Sequence, residues 1–293
     1  MRAALLVALA MAVAFPAEAR ARKKRKPAPL AARMRAEDDP RKRGNHRAFA
    51  KASIAFAAPK DLSVLGDGAV EIRLVVKGYR VGALQPGGAV PHVHLIVDNE
   101  PALEIDDARV AWALGGLAPG PHLLRVVLCR PWHEVVKARK AFAMTRFWVG
   151  PRLAGKAGRA AEWAVWPAPR KPILTYVLPI GVAPANLVLA PIDDAAQHDA
   201  ARPVDPTAAW LKPSPNRPVV DFYLSNGKLG RRGDKILIVL DRRELPLITD
   251  WKPHPLRRAH KGTRRVSIDL LNRKGLKVHN AVNQTDRVFT VSR

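Results

Sequence analysis

Arg265-Val266-Ser267-Ile268-Asp269-Leu270 alternates polar and apolar side chains. That period of two is what an extended chain needs to bury one face and wet the other. Val266, Ile268 and Leu270 are expected to face a core, with Arg265, Ser267 and Asp269 in water. The segment 142 residues earlier, Leu123-Leu124-Arg125-Val126-Val127-Leu128-Cys129, sets Leu124, Val126 and Leu128 at the same positions. The surroundings repeat too. Gly120 precedes Phe147 by 27 residues and Gly262 precedes Phe289 by 27; Asp98 precedes Gly120 by 22 and Asp241 precedes Gly262 by 21. His94-Leu95-Ile96-Val97-Asp98 lies over Leu237-Ile238-Val239-Leu240-Asp241, and Phe147-Trp148-Val149 over Phe289-Thr290-Val291. One unit used twice, too widely spaced for a solenoid, predicts two similar domains.

Short apolar runs extend the pattern at Val70–Val76, Val93–Val97, Val110–Leu114 and Phe142–Val149, then at Val219–Leu224, Ile236–Leu240 and Val288–Val291. Gly87-Gly88, Asp98-Asn99 and Pro119-Gly120 punctuate them as turns. With 26 Pro and 19 Gly, and no apolar helical stripe of useful length, the 293-residue chain is predicted to be all-β: two Ig-like antiparallel β-sandwich domains. The expected organisation is a signal peptide over 1–19, a basic and largely disordered arm over 20–62, domains over 63–150 and 218–293, and a Pro/Ala-rich linker with room for extra strands over 151–217.

Pro131-Trp132-His133-Glu134 with Lys137, Ala141-Phe142 and Phe147, and Pro172-Ile173-Leu174-Thr175-Tyr176 before Asp221-Phe222-Tyr223-Leu224, resemble uncharacterised secreted bacterial proteins with tandem Ig-like repeats. The resemblance covers roughly residues 65–293. It implies the fold and export, and transfers no functional residue.

Met1-Arg2, an apolar stretch from Ala3 to Phe15 and Ala17-Glu18-Ala19 form the pattern of a secretory signal cut before Arg20. The stretch is too short for the roughly 20 residues that span a bilayer. Export to the periplasm or the extracellular space is expected, with no transmembrane segment in the mature chain, although the basic run from Arg20 to Lys26 opposes translocation. The lone Cys129 rules out an intrachain disulfide and is expected to be buried as a small hydrophobe.

The formal charge of +25 is concentrated over 20–62 and 218–293, each carrying +10. Arg231-Arg232, Arg242-Arg243 and Arg257-Arg258, with Arg264-Arg265 and Arg273-Lys274, suit an anionic envelope polymer. Another envelope protein is the other expected partner. No motif that reads nucleic-acid bases accompanies the charge. Trp132, His133 and Glu134 sit in the loop where the repeats differ most, and are candidates either for ligand contact or for capping the end of the sandwich.

His92-Val93-His94 projects two imidazoles from one face of a strand, where they can share a metal with a third donor, His133 or Glu134, from the later loop. That requires the loops to lie at one end. The second repeat has Lys235 and Leu237 at the equivalent positions, so the fold tolerates a charged and an apolar group there, and the stronger reading of His94 is a partly buried strand residue. No nucleophile with a base, no pair of facing carboxylates and no phosphate loop is present, so neither an enzyme nor a cofactor is expected. The leading expectation is a non-enzymatic envelope binding, adhesion or scaffold protein. The alternative is a periplasmic protein that binds a transition metal through His92, His94 and His133.

Overall fold

The computed structural model describes residues 49–82, 90–182, 184–192, 218–257 and 259–291. The stretch expected to be a signal peptide and most of the expected arm lie outside these residues. The protein is an all-β sandwich whose strands, in chain order, are β1 (Ser53–Ala58), β2 (Ser63–Leu65), β3 (Val70–Lys77), β4 (His92–Val97), β5 (Leu103–Ile105), β6 (Trp112–Gly115), β7 (Gly120–Cys129) and β8 (Phe142–Val149). Helix α1 (Gly155–Val165) follows, then β9 (Ile173–Leu178), β10 (Val188–Pro191), β11 (Val219–Ser225), β12 (Lys235–Leu240), β13 (Arg243–Glu244), β14 (His254–Pro255), β15 (Gly262–Leu271) and β16 (Gln284–Val291). The sheets run β1-β3-β6-β10, β2-β8-β7-β4-β5, β14-β11-β9 and β13-β12-β15-β16.

The repeat is visible in backbone register. Val97 pairs with Leu124, His92 with Cys129 and Gly120 with Val149; Leu240, Lys235 and Gly262 pair with Val266, Leu271 and Val291 in the same way. Its signature is an aspartate at a left-handed turn, Asp98 at φ 52° and Asp241 at φ 48°. Each backbone amide donates across to Leu123 O or Arg265 O, and each carboxylate accepts the amide of that same residue. A short acidic side chain tolerates this backbone and bonds locally, which fixes where the strand must turn.

Three segments refine the sequence expectations. β1 lies inside the stretch expected to be a disordered arm, because a run as short as Ser53-Ile54-Ala55-Phe56 beside Lys51 and Lys60 has too little apolar period to stand out. The segment 151–217 supplies the extra strands its sequence leaves room for: β9 joins the second sandwich and β10 pairs with β6 of the first. Gly116 lets the Asn186 carbonyl approach where any Cβ would overlap it. Finally, α1 escapes a search for apolar stripes because the one residue it fully buries is Gly158, while Trp163 stays 74% exposed.

Leu124, Val126 and Leu128 are buried as expected, but Arg125, Val127 and Cys129 on the opposite face of β7 are buried too. The second half of the chain covers that face. Arg125 donates to Leu174 O and to the Thr175 hydroxyl of β9, and to Asp98 O and Asn99 Oδ1 of the β4–β5 turn. Burial, with the Arg287 charge nearby, lowers its pKa to about 9. Leu123, Trp148, Trp166 and Ile173 pack beside it, with Trp166 Nε1 donating to His122 O at 2.9 Å.

His122 turns the repeat's aspartate into an ion pair. Its Nδ1 faces Asp98 Oδ2 at 2.9 Å and its Nε2 faces Ala118 O at 2.7 Å. Both partners are acceptors, so both nitrogens donate and the ring is held as imidazolium. Burial lowers the pKa of this group, but the hydrogen bond and charge of Asp98 outweigh it and leave the value raised. A raised folded-state value gives stability that is present below about pH 6.5 and lost as pH rises through that value. Asp98→Asn should therefore lower the melting temperature more at about pH 5.5 than at about pH 8.5. Equal losses in thermal melts at the two pH values would show that the ring is neutral.

Candidate functional site

In an antiparallel pair, directly opposed residues project from the same face of the sheet. His92 opposes Cys129, His94 opposes Val127 and Glu104, and Ile96 opposes Arg125. The face of the five-stranded sheet turned toward the second sandwich therefore carries His92, His94, Glu104 and Cys129 together. The connection between β7 and β8 turns back over them. Arg130 N donates to Glu134 O and His133 N to Arg130 O, both at 2.8 Å, closing a tight turn with His133 at φ 61°. Histidine is among the residues that enter this left-handed region more readily than most, at a modest cost in strain.

That turn brings the third imidazole in. His94 Nε2 lies 3.0 Å from His92 Nε2 and 3.0 Å from His133 Nδ1. The ring centroids are 4.4 to 5.2 Å apart. His92, His94 and His133 are 1%, 0% and 2% exposed, so water does not separate them. His92 Nδ1–H donates to Val90 O at 2.9 Å and lies 3.3 Å from Glu104 Oε1, so Nε2 is the nitrogen turned toward the other two rings. A proton on His94 Nε2 can point along only one of its two contacts. His94 Nδ1 has no hydrogen-bond partner among the described residues. Burial pushes His94 and His133 well below the usual histidine range, and the neighbouring imidazoles add to the shift.

A cation between the rings resolves the conflict. Nitrogens bound at about 2.0–2.1 Å to one tetrahedral ion lie about 3.3 Å apart, close to the 3.0 Å that separates His94 Nε2 from His92 Nε2 and from His133 Nδ1. The donor atoms of His92, His94 and Cys129 lie within 4.8 Å of one another, as do those of His92, Glu104 and His133. Glu134, the other loop donor expected from sequence, goes elsewhere: it accepts Trp132 Nε1–H at 2.7 Å and sits 3.9 Å from Arg130. Cys129 and Glu104 are the donors that sequence reasoning left out. Both are strand residues whose relation to the histidines appears only with the pairing register.

The loop is fastened to the second sandwich. Val135 N donates to Asp221 Oδ2 at 2.8 Å, Lys137 Nζ pairs with Asp221 Oδ1, and Tyr223 donates its hydroxyl proton to Ala138 O at 2.8 Å. Burial holds the Asp221 carboxyl above the usual carboxylate range, with the Lys137 ammonium acting against the shift.

The remaining candidates fare differently. Trp132, His133 and Glu134 are all buried, Trp132 lying under the Arg130 guanidinium at 4.2 Å, so this loop offers no exposed aromatic platform. Among the described residues, the exposed indole is Trp163. Arg231, Arg232, Arg242, Arg243 and Arg257 are exposed, and Arg258 lies outside the described residues. The arginines do not form one edge, because Arg231-Arg232 precede β12 and Arg242-Arg243 follow it. At the first of these ends, Arg232 joins Lys228, Arg273, Lys274, Asp234 and Asn272 around a cavity of about 540 Å³.

No family model and no curated protein matches the chain. Among solved structures it is similar to fibronectin(III)-like modules of Clostridium thermocellum CbhA, at 11% identity over 82% of this chain and 94% of that one, with a TM-score of 0.25. It is also similar to SGBP-B of a Bacteroides ovatus mixed-linkage glucan utilization locus, solved with a mixed-linkage heptasaccharide, at 14% identity over 82% and 70% of the two chains, TM-score 0.20.

Replacing Lys137 by Met removes the cation that offsets burial of Asp221. It should destabilise the fold by about 3–5 kcal/mol in urea titrations. A loss below about 1 kcal/mol would mean that the pair is open to water.

Proposed function

We propose that this chain is an exported, non-enzymatic binding protein that holds one transition-metal ion on His92, His94 and His133. The observation that carries the reading is the convergence of three buried imidazoles, with His94 Nε2 at 3.0 Å from a ring nitrogen of each of the other two. Imidazole donors suit late first-row ions such as Zn²⁺, Cu²⁺ or Ni²⁺. Export is supported by the amino-terminal apolar stretch and Ala17-Glu18-Ala19.

Protein purified without added metal or chelator should carry about one equivalent of metal per chain by elemental analysis. His94→Ala should lose it, with affinity falling at least about 100-fold, since even outer-shell changes cost 10–100-fold. At ligand a hundredfold above Kd, binding contributes about 2.7 kcal/mol, visible as a higher melting temperature that chelator reverses. A metal-free wild type that also gains no stability with added Zn²⁺ would end this reading.

A second reading, contact with an anionic envelope polymer, draws on the cavity at the end of the second sandwich. Lys228, Arg232, Arg273 and Lys274 line it with no ion-pair partner among the described residues, while Asp234 is engaged by the backbone amide of Lys228 at 3.1 Å. Four unpaired cations against one occupied carboxylate favour a chain of phosphates or carboxylates. An Arg273→Glu, Lys274→Glu double variant should elute from a phosphocellulose column at clearly lower salt than wild type. Unchanged elution would assign the basicity to solubility alone.

A further inference from the structure

We propose that Cys129 is the fourth ligand of the histidine site, closing it as a tetrahedral three-imidazole, one-thiolate centre for a borderline-soft ion such as Zn²⁺. The inference rests on the metal-binding reading above and goes beyond it by fixing the coordination number, the donor set and the class of ion.

Access is the first argument. Zinc sites that act on substrates keep an open position for water, whereas closed sites take four protein donors. With the three histidines 2% exposed or less, the fourth donor has to come from the protein. Two side chains are near: Cys129, whose sulfur lies within 4.8 Å of donor nitrogens of His92 and His94, and Glu104, whose carboxylate lies within 4.8 Å of donor nitrogens of His92 and His133.

Their geometry separates them. Glu104 lies 3.3 Å from His92 Nδ1, the nitrogen that does not face the other two rings, and its side chain is 25% exposed. It occupies the place of the carboxylate that orients a ligating histidine from behind. Cys129 is fully buried, opposes His92 directly across the β4–β7 pairing, and has its sulfur in the same group as the ring nitrogens of His92 and His94. The hydrogen bond of its thiol to Val127 O, at 3.8 Å, is long enough to give up.

The internal repeat supplies an independent argument. The three strand positions that would ligate are His92, His94 and Cys129; register places Lys235, Leu237 and Leu271 at their equivalents in the second sandwich. All three donors are present together in one copy and absent together in the other. A cysteine kept only for its size has no reason to follow the histidines. Soft thiolate beside imidazole selects Zn²⁺ and excludes hard ions such as Mg²⁺ or Ca²⁺. On binding, the Sγ–H bond breaks and a metal–sulfur bond forms, one proton passes to solvent, and no oxidation state changes.

The test is to load the metal-free full chain with Co²⁺ alone and record its absorption spectrum. A thiolate ligand gives an intense near-ultraviolet sulfur-to-cobalt band on top of the visible absorption of tetrahedral Co²⁺. Cys129 is the sole cysteine, so the band in the unaltered chain assigns the ligand without a variant. Cys129→Ala should abolish the band and weaken Co²⁺ binding by about tenfold or more, with an unchanged far-ultraviolet circular dichroism spectrum. Co²⁺ bound through His94 with no charge-transfer band, and equally well by Cys129→Ala, would overturn the proposal and leave the three-histidine reading standing. Failure of the wild type to take up Co²⁺ at all would overturn both.

Discussion

Both faces of β7 are buried, and most of what is distinctive about this protein follows from that. A strand at the surface of a sandwich needs apolar side chains on one side only. Once the second half of the chain covers the other side, Arg125, His92, His94 and Cys129 are all removed from water and each must find a partner inside. Arg125 finds carbonyls, a hydroxyl and an amide oxygen, spread over a turn of one sandwich and a strand of the other. The imidazoles find one another. Desolvation that is only costly for an isolated polar group becomes specificity where several such groups meet.

The strands and their duplication were legible because they depend on local periodicity and on fixed spacings from glycine and aspartate. Val266, Ile268 and Leu270 face the core for the reason their alternation suggests. The segment from 151 to 217 was opaque because its meaning is set at long range. Ile173-Leu174-Thr175-Tyr176 reads as a strand anywhere, and only its pairing with Phe222 and Tyr223 assigns it to the second sandwich. Helix α1 was invisible for another reason: small residues dock it, and packing by Gly158 leaves no apolar stripe.

The site was half legible. His92 and His94 announce a shared face through a spacing of two. His133 joins them because the turn at Arg130–Glu134 closes with a left-handed histidine, which no periodicity encodes. Trp132 and Glu134 looked like surface chemistry because they lie in a connection. They are instead the inner packing of that turn, stacked and hydrogen-bonded beside Arg130. Loop position misleads when the loop is itself covered, here by β11 through Asp221 and Tyr223.

The path of the chain between the sandwiches has one further consequence. It leaves the first sandwich after β8, lends β9 to the second, returns β10 to the first, and only then completes the second. Two strands are thus exchanged across the junction, in the manner of a splice. Neither half can be cut out as a self-sufficient module. A chain that emerges from its amino terminus reaches residue 191 before the edge of β6 has its neighbour, when β9 is already waiting for β11. The two halves are therefore bound to mature as one object, and shuffling either into another polypeptide would carry away a strand that belongs to the other.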